Sequence, residues 1–415
     1  MEEHVYVYLD RGRTPTLVGR LWARARKEQE SASFEYDKGW LKDPERFSLE
    51  PALLLGPGPH HTGVGKALFG AIGDSAPDRW GRILMRRAER LHAKGDRRTP
   101  RTLMEIDYLL MVDDEARQGA LRFAKQEGGP FLREGGASRI PPMLELPRLL
   151  AASEHFDQDK ETAEDIRLLL APGSSLGGAR PKASVRDKDG RLRIAKFPQK
   201  ADRMNTVLWE AVALRLATEA GIQVPIWSLH SVRKKAVLLL DRFDRSVGMR
   251  IPFLSAMNML TANDNEAHSY MEIADTLRRH GAAPAEDLPQ LWRRIVFNVL
   301  ITNTDDHLRN HGFLYAGSEG WRLSPAYDLN PVVGPRVLSL AVDADDRTAS
   351  MESALSVAEY FELTARNARK VAVEIGRAAA KWRKEAKRVA IGKGEMEEMA
   401  PAFEHRESRQ VLALN

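Results

Sequence analysis

The chain opens on an alternation of apolar and polar positions. Val5, Val7 and Leu9 stand against Tyr6, Tyr8 and Asp10, a period of two that predicts a half-buried strand. A turn over residues 10–14 predicts a hairpin returning through residues 17–21. The stretch 55–65 (LGPGPHHTGVG) is dense in Gly and Pro and predicts a loop. Residues 78–101 (DRWGRILMRRAERLHAKGDRRTPR) change the period. Trp80, Ile83, Leu84, Ala88 and Leu91 recur at helical spacing among nine Lys/Arg and three Asp/Glu, which makes an amphipathic helix with a basic face. That face reads either as a solvated surface or as a contact for phosphates or a partner protein.

Residues 126–142, with four glycines and three prolines, mark a domain border. A helical stretch over 144–170 follows, then the loop APGSSLGGARPK at 171–182. Short strands are expected at 183–185 and 192–197, around a turn at 187–190. Residues 204–220 form a helix with Val207, Leu208, Ala211, Leu214, Leu216 and Ala217 on one face, ended by Gly221. Strands follow at 228–232 and 236–240. From about residue 255 the pattern is mostly helical. An apolar helix over 288–302 leads into NTDDHLRNHGF, a strand–turn–strand (312–315 and 321–323) and SPAYDLNP. A helical tail begins at Ser356, with the capping-box spacing Ser356-x-x-Glu359. The expected class is α+β: a mixed module at 1–135, a strand-rich region at 143–250 and a helical region at 251–415.

Composition narrows the chemistry. The 415 residues include no cysteine, which excludes disulfides, thiol nucleophiles and Cys-ligated zinc or iron–sulfur sites. It also fits a reducing, cytoplasmic setting. The start is acidic and alternating, so no signal peptide is expected. The longest apolar runs, at 236–240 and 168–171, fall far short of the roughly 20 residues of a membrane span. A net charge of +5 is a mild hint of a nucleic-acid or acidic partner.

The most informative segment is NTDDHLRNHGF. Asp305 and Asn310 lie five residues apart after an apolar helix, and Asp328 follows beyond a hairpin. Phosphoryl transfer to a hydroxyl needs a carboxylate to orient that hydroxyl, with an amide oxygen and a second carboxylate to hold Mg²⁺. Protein kinases space these groups in this way. Hard oxygen donors such as Asn310 and Asp328 suit Mg²⁺. Upstream, SSLGGARPK could bring backbone N–H groups close to phosphates, although it is not a Walker A loop. Lys196 is a cation in an apolar strand, with Glu210 available on the next helix. It reads as a phosphate-binding lysine or as a lysine snorkelling at a sheet edge. The run LDRFDR at 240–245 reads equally as a linker against which adenine docks or as a surface salt-bridge cluster.

In this order and at these distances, NTDDHLRNHGF, SPAYDLNP, SSLGGARPK, IAKFP and LDRFDR resemble the HipA family over nearly the whole chain. These are bacterial serine/threonine kinases, the toxin halves of HipBA-type toxin–antitoxin pairs. The resemblance implies a protein-kinase-like fold: an N-terminal module, a small ATP-binding lobe and a mostly helical catalytic lobe. It implies ATP and Mg²⁺ as cofactors. By position it assigns Asp305 as the catalytic aspartate, Asn310 and Asp328 as magnesium ligands and Lys196 as the ATP-phosphate lysine. Gly177, Gly178, Ala179 and Lys182 become the phosphate loop, Asp241 and Phe243 the adenine linker, and His307 and Tyr327 neighbours of the nucleotide. Ser175, or Ser174 beside it, becomes the autophosphorylated serine, whose added negative charge ejects the loop and blocks ATP. The metal aspartate sits in Tyr-Asp-Leu rather than Asp-Phe-Gly, so control by a flipping Phe is not expected. Implied partners are a HipB-like helix-turn-helix antitoxin and a protein substrate such as an aminoacyl-tRNA synthetase. DNA would be contacted only through the antitoxin, and no membrane is involved. Two rival readings are a catalytically inactive module working through an antitoxin–DNA complex, and a metal-dependent hydrolase using His307 and His311 with Asp305 and Asp306.

Overall fold

The computed structural model describes residues 2–12, 14–26, 29–134, 140–170 and 178–414. The chain folds into two compact units. One comprises Met1–Ala201 and His230–Leu254, the other Asp202–Leu229 and Ser255–Asn415. Among the described residues no helix is long and apolar enough to cross a membrane.

In the first unit the opening alternation becomes the strand Glu2–Leu9, paired antiparallel with Thr16–Arg26 so that Val5 faces Leu21. The sheet runs in the order Pro59–His61, Gln29–Tyr36, Thr16–Arg26, Glu2–Leu9, Leu121–Ala124. The predicted loop at 55–65 therefore contains a short edge strand. Val5, Val7, Leu21 and Phe34 are fully buried, as a half-covered sheet requires.

The basic segment forms the helix Arg79–Gly95. Asp78 caps it, accepting the Gly81 N–H at 2.7 Å. Trp80, Leu84 and Ala88 turn into the core against Leu149, Leu169 and Val185. The expected helical stretch at 144–170 is two helices, Leu146–Asp157 and Ala163–Leu170. Asp159 between them takes a left-handed φ of +52°. A second sheet contains Lys182–Arg186, Leu192–Lys196 and Lys235–Asp241, with Trp227–Val232 at its edge. The Asp187 carboxylate closes its first turn by accepting the N–H groups of Asp189 (2.9 Å) and Arg191 (2.8 Å).

The second unit is built around the helix Pro284–Ile301. Pro284 suits the first turn, where its missing N–H has no partner to lose. Leu288, Leu291, Trp292, Ile295, Val299 and Leu300 are fully buried. A helix this apolar on several faces must be enclosed, and Trp292 Nε1 donates to the Ala354 carbonyl at 2.8 Å. The helix Thr206–Glu219 is tied down from far along the chain. Glu395, on the helix Lys393–Phe403, accepts from Asn205 N (2.7 Å) and Trp209 Nε1 (2.9 Å). Trp382 stacks on Phe403 with ring centroids 4.8 Å apart.

The expected capping box at Ser356 is corrected. Ser356 is the last residue of the helix Met351–Ser356, and its Oγ donates to the Ser353 carbonyl at 2.9 Å. Ser350 caps that helix, and Thr364 caps the next one, Ala365–Ala379. Ser-x-x-Glu recurs near helix ends as well as starts. Here Glu362 at φ +63° breaks the run that would have followed.

The hairpin Gly312–Tyr315 and Trp321–Leu323 pairs Phe313 with Leu323. Gly320 adopts φ +113°, and a Cβ built there would lie 2.4 Å from the His280 carbonyl oxygen. Gly320→Ala is therefore expected to destabilise the second unit by about 1–3 kcal/mol, combining backbone strain with a clash that backbone cannot easily relieve. The urea-unfolding midpoint of the variant measures this. A midpoint equal to that of the parent protein would contradict it.

Candidate functional site

The helix Pro284–Ile301 ends in a residue that is not glycine. Thr302 takes the left-handed conformation at φ +52°. Its hydroxyl donates to the Ala402 carbonyl (2.8 Å) and accepts from Arg336 Nη1 (2.7 Å), which compensates the strain locally. Asn303 then bonds back to Asn298 through its backbone N–H (2.9 Å) and its side-chain amide (3.0 Å to Oδ1). The loop beyond Asn303 is thereby anchored to the buried helix.

The adjacent aspartates of that loop point to different environments. Asp305 is exposed. Asp306 is 3% exposed, and its Oδ2 meets Tyr270 OH (2.6 Å), Asn298 Nδ2 (2.8 Å) and His311 Nε2 (2.9 Å). Burial pushes the Asp306 carboxyl up. The His311 charge, the hydrogen bonds from His311 and Tyr270 and the Arg294 charge outweigh burial and leave it below its ordinary range. Burial and the Asp306 charge push the Tyr270 hydroxyl well above its ordinary value. Arg294, also buried, is lowered to about 10 by desolvation, against the opposing charges of Asp306, Tyr327 and Asp287. The Asp306 Oδ2 is thus taken up by three groups of its own unit, whereas Asp305 is exposed.

Asn310 is buried, and its Nδ2 donates to the backbone carbonyl of Asp305 at 3.1 Å. That bond sets the amide orientation. His307 is exposed at the start of the short turn Leu308–Asn310, and its carbonyl accepts the Asn310 N–H at 2.8 Å. Tyr327 OH donates to the Arg309 carbonyl at 2.8 Å, tying SPAYDLNP to the Asp305 loop. Next to it Asp328 is held at φ +59°, and Asn330 Nδ2 donates to its Oδ1 at 3.2 Å. A left-handed φ is tolerated by Asp better than by most side chains, and strain of this kind gathers at functional positions. The oxygens of Asn310 and Asp328 are the hard donors that Mg²⁺ takes.

The first unit carries the other predicted residues. Ser174, Ser175 and Gly177 lie outside the described residues. Gly178 has φ +88°, and both it and Ala179 are exposed. Lys182 is buried, its ammonium held by Asp78 Oδ2 (2.9 Å) and the Gly178 carbonyl (3.1 Å). Asp78 thus caps a helix with one oxygen and pairs a lysine with the other. Lys196 is half-buried on its strand, in register with Lys182 and Leu238. The Asp241 carboxylate is bound by Arg193 (2.5 Å) and Arg191 (3.1 Å). Phe243 lies 6.3 Å from Phe253, ring centre to ring centre. The charges of Arg242 and Asp244 form a buried cluster rather than a surface one. Arg242 donates to the Ala116 (2.6 Å) and Arg117 (3.0 Å) carbonyls, and Asp244 accepts the Gly119 N–H at 2.8 Å.

The two histidines of the rival metal reading do not converge. His311 is enclosed on Asp306 while His307 is exposed, and the segment between them is a single tight turn. Among the described residues no group of three or more His, Asp or Glu is placed to hold a metal by itself. Sequence reasoning missed the Asp306 network. Its one signal was the doubled aspartate with a histidine five positions on.

Comparison with known proteins adds four findings. Residues 174–383 match the family model of the HipA-like C-terminal domain. A curated relative from Sinorhizobium fredii, named "Putative kinase Y4mE", is 25% identical over 360 residues, covering 75% of this chain and 78% of that protein. One from Haemophilus influenzae, named "Putative kinase", is 25% identical over 207 residues, 43% of this chain and 60% of its own length. Among solved structures, the Shewanella oneidensis MR-1 toxin–antitoxin complex of HipA, HipB and operator DNA superposes with a TM-score of 0.63 at 16% identity. The match covers 99% of this chain and 96% of that one, which shows a shared fold.

Proposed function

The chain belongs to the HipA family, and on that premise we propose that it is an ATP- and Mg²⁺-dependent serine/threonine protein kinase, the toxin half of a toxin–antitoxin pair. The observation that carries the reading is the pairing of an exposed Asp305 with Asn310, whose amide is bonded to the Asp305 carbonyl, in a loop that the neighbour of the left-handed Asp328, Tyr327, binds through the Arg309 carbonyl. Asp305 accepts the hydroxyl proton and aims the oxygen. Asn310 Oδ1 and the Asp328 carboxylate are the residues that would hold Mg²⁺, which when bound neutralises charge on the transferring phosphate. Lys196 and the loop through Gly178 and Ala179 position the phosphates, and the segment at Asp241 and Phe243 receives the base. The rate advantage then comes from positioning and charge neutralisation. The relatives named as kinases support the activity class, and the HipA structure solved with HipB supports a HipB-like antitoxin as partner.

The test is transfer of label from γ-labelled ATP. Wild-type protein is expected to incorporate label with Mg²⁺ and not with chelator. Asp328→Ala should raise the Mg²⁺ requirement by roughly 100-fold or more, since even outer partners of a metal change its affinity 10–100-fold. Mass spectrometry of the labelled protein should place phosphate on Ser175 or Ser174. Transfer indifferent to both chelator and Asp328→Ala would sink the mechanism. Active protein without phosphate on either serine would remove the autoregulatory part.

A further inference from the structure

The outward row of the helix Arg79–Gly95 has no role in the kinase reading. At 3.6 residues per turn, Arg79, Arg86, Arg90 and Lys94 fall within an arc of about 80°. All four are exposed. The helix's flanking arginines are paired: Arg82 with Glu105, and Arg87 with Asp159 (2.7 Å) and Glu161 (3.0 Å). Among the described residues the outward row has no carboxylate within ion-pair distance, whereas about half of the described arginines do, the two on this helix's flanks included. Acidic residues are thus kept off one face of a helix that holds them on its flanks.

We infer that this row binds the phosphate backbone of duplex nucleic acid directly, without reading its sequence and without an antitoxin. From Arg79 to Lys94 the row spans about 22 Å, with Arg86, Arg90 and Lys94 about one turn apart and Arg79 about two turns before Arg86. A nucleic-acid strand presents phosphates continuously along such a length, about one per 3.4 Å of axis. Three of the four cations are arginines, whose planar fork grips phosphate oxygens in pairs. A membrane surface fits less well, because the helix's apolar side (Trp80, Leu84, Ala88) is committed to the core and has nothing to insert. An acidic protein offers no comparable regular line of charge. The inference goes beyond the kinase reading and does not depend on it.

The experiment measures fluorescence anisotropy of the full chain, without antitoxin, on a labelled 20-base-pair DNA duplex and on an RNA duplex of the same sequence, at roughly 50–200 mM salt. Circular dichroism confirms that each variant is folded. Wild-type affinity for at least one duplex is expected to fall about 100-fold over that range, since four phosphate contacts give a log–log slope near −3.6. Changing Arg79, Arg86, Arg90 and Lys94 together to alanine should weaken binding at least tenfold and flatten the slope by about 3. The matched control changes Lys42, Lys160, Lys188 and Lys234, exposed lysines of the same unit that form no row. It should stay within twofold of wild type. Preference for the DNA or the RNA duplex identifies the source of the phosphates, and either supports the inference. Equal losses in the two quadruple variants would reduce the effect to net charge and overturn it. So would polyglutamate competing as well as duplex, or anionic vesicles binding as tightly.

Discussion

Asp305→Ala is expected to lower phosphate transfer from ATP by roughly 10³-fold or more while leaving the fold and ATP binding intact. A positioned general base contributes 10²–10⁴-fold, and here the same carboxylate also aims the acceptor oxygen. The structure makes this variant unusually clean. Asp305 is exposed, so its side chain adds little to stability. Its bond to Asn310 uses the backbone carbonyl, which alanine keeps. The loss should therefore fall on kcat, with ATP affinity by calorimetry and thermal midpoint near wild type. Undiminished transfer would refute the role given to Asp305. A collapse of ATP binding together with kcat would show that the residue holds nucleotide rather than acceptor.

Its neighbour should behave in the opposite way. Asp306→Ala is expected to destabilise the second unit by about 3–5 kcal/mol, because it leaves Tyr270, Asn298 and His311 buried around a missing acceptor. Asp306→Asn, which keeps the shape and one acceptor oxygen, should lose less. The pH dependence has a definite sign. The folded carboxyl titrates below its unfolded value of about 4, so its stabilisation is present above that pH and is lost as pH falls through the folded value. Urea-unfolding midpoints of wild type and Asp306→Asn should therefore converge in acid and separate near neutrality. A constant gap would mean that the charge of Asp306 does not matter.

These two residues show what could be read from the chain and what could not. Periodicity carried much of the regular structure. The alternation at Val5–Val7–Leu9 led to its strand. The turn at 187–190 joined the expected pair of strands, and the apolar run from Leu288 gave the buried helix. The spacing of Asp305, Asn310 and Asp328 suggested a chemistry because those residue types at those distances have few other joint uses. Burial was not legible. Asp305 and Asp306 look alike in a string of letters, and only the arrival of Tyr270 and Asn298 from elsewhere separates them. The same holds for Lys182, which sequence groups with a phosphate loop and which the fold sets against Asp78, 104 residues away. Arg242 and Asp244 read equally as part of a linker or as surface charges, and only the carbonyls of Ala116 and Arg117 and the Gly119 N–H show them buried. Ser356 misled for a related reason, since a local spacing cannot say which end of a helix it occupies.

The bonds from Glu395 to Asn205 and Trp209 have a temporal meaning as well. The ribosome adds roughly 5–20 residues per second. The partners are separated by 190 and 186 residues, so helix Thr206–Glu219 waits about 10–40 s for the glutamate that secures it. During that interval the helix is already synthesised but lacks its clasp. A nascent or stalled chain that has not reached Glu395 therefore carries the helix Thr206–Glu219 without the carboxylate that binds its first turn.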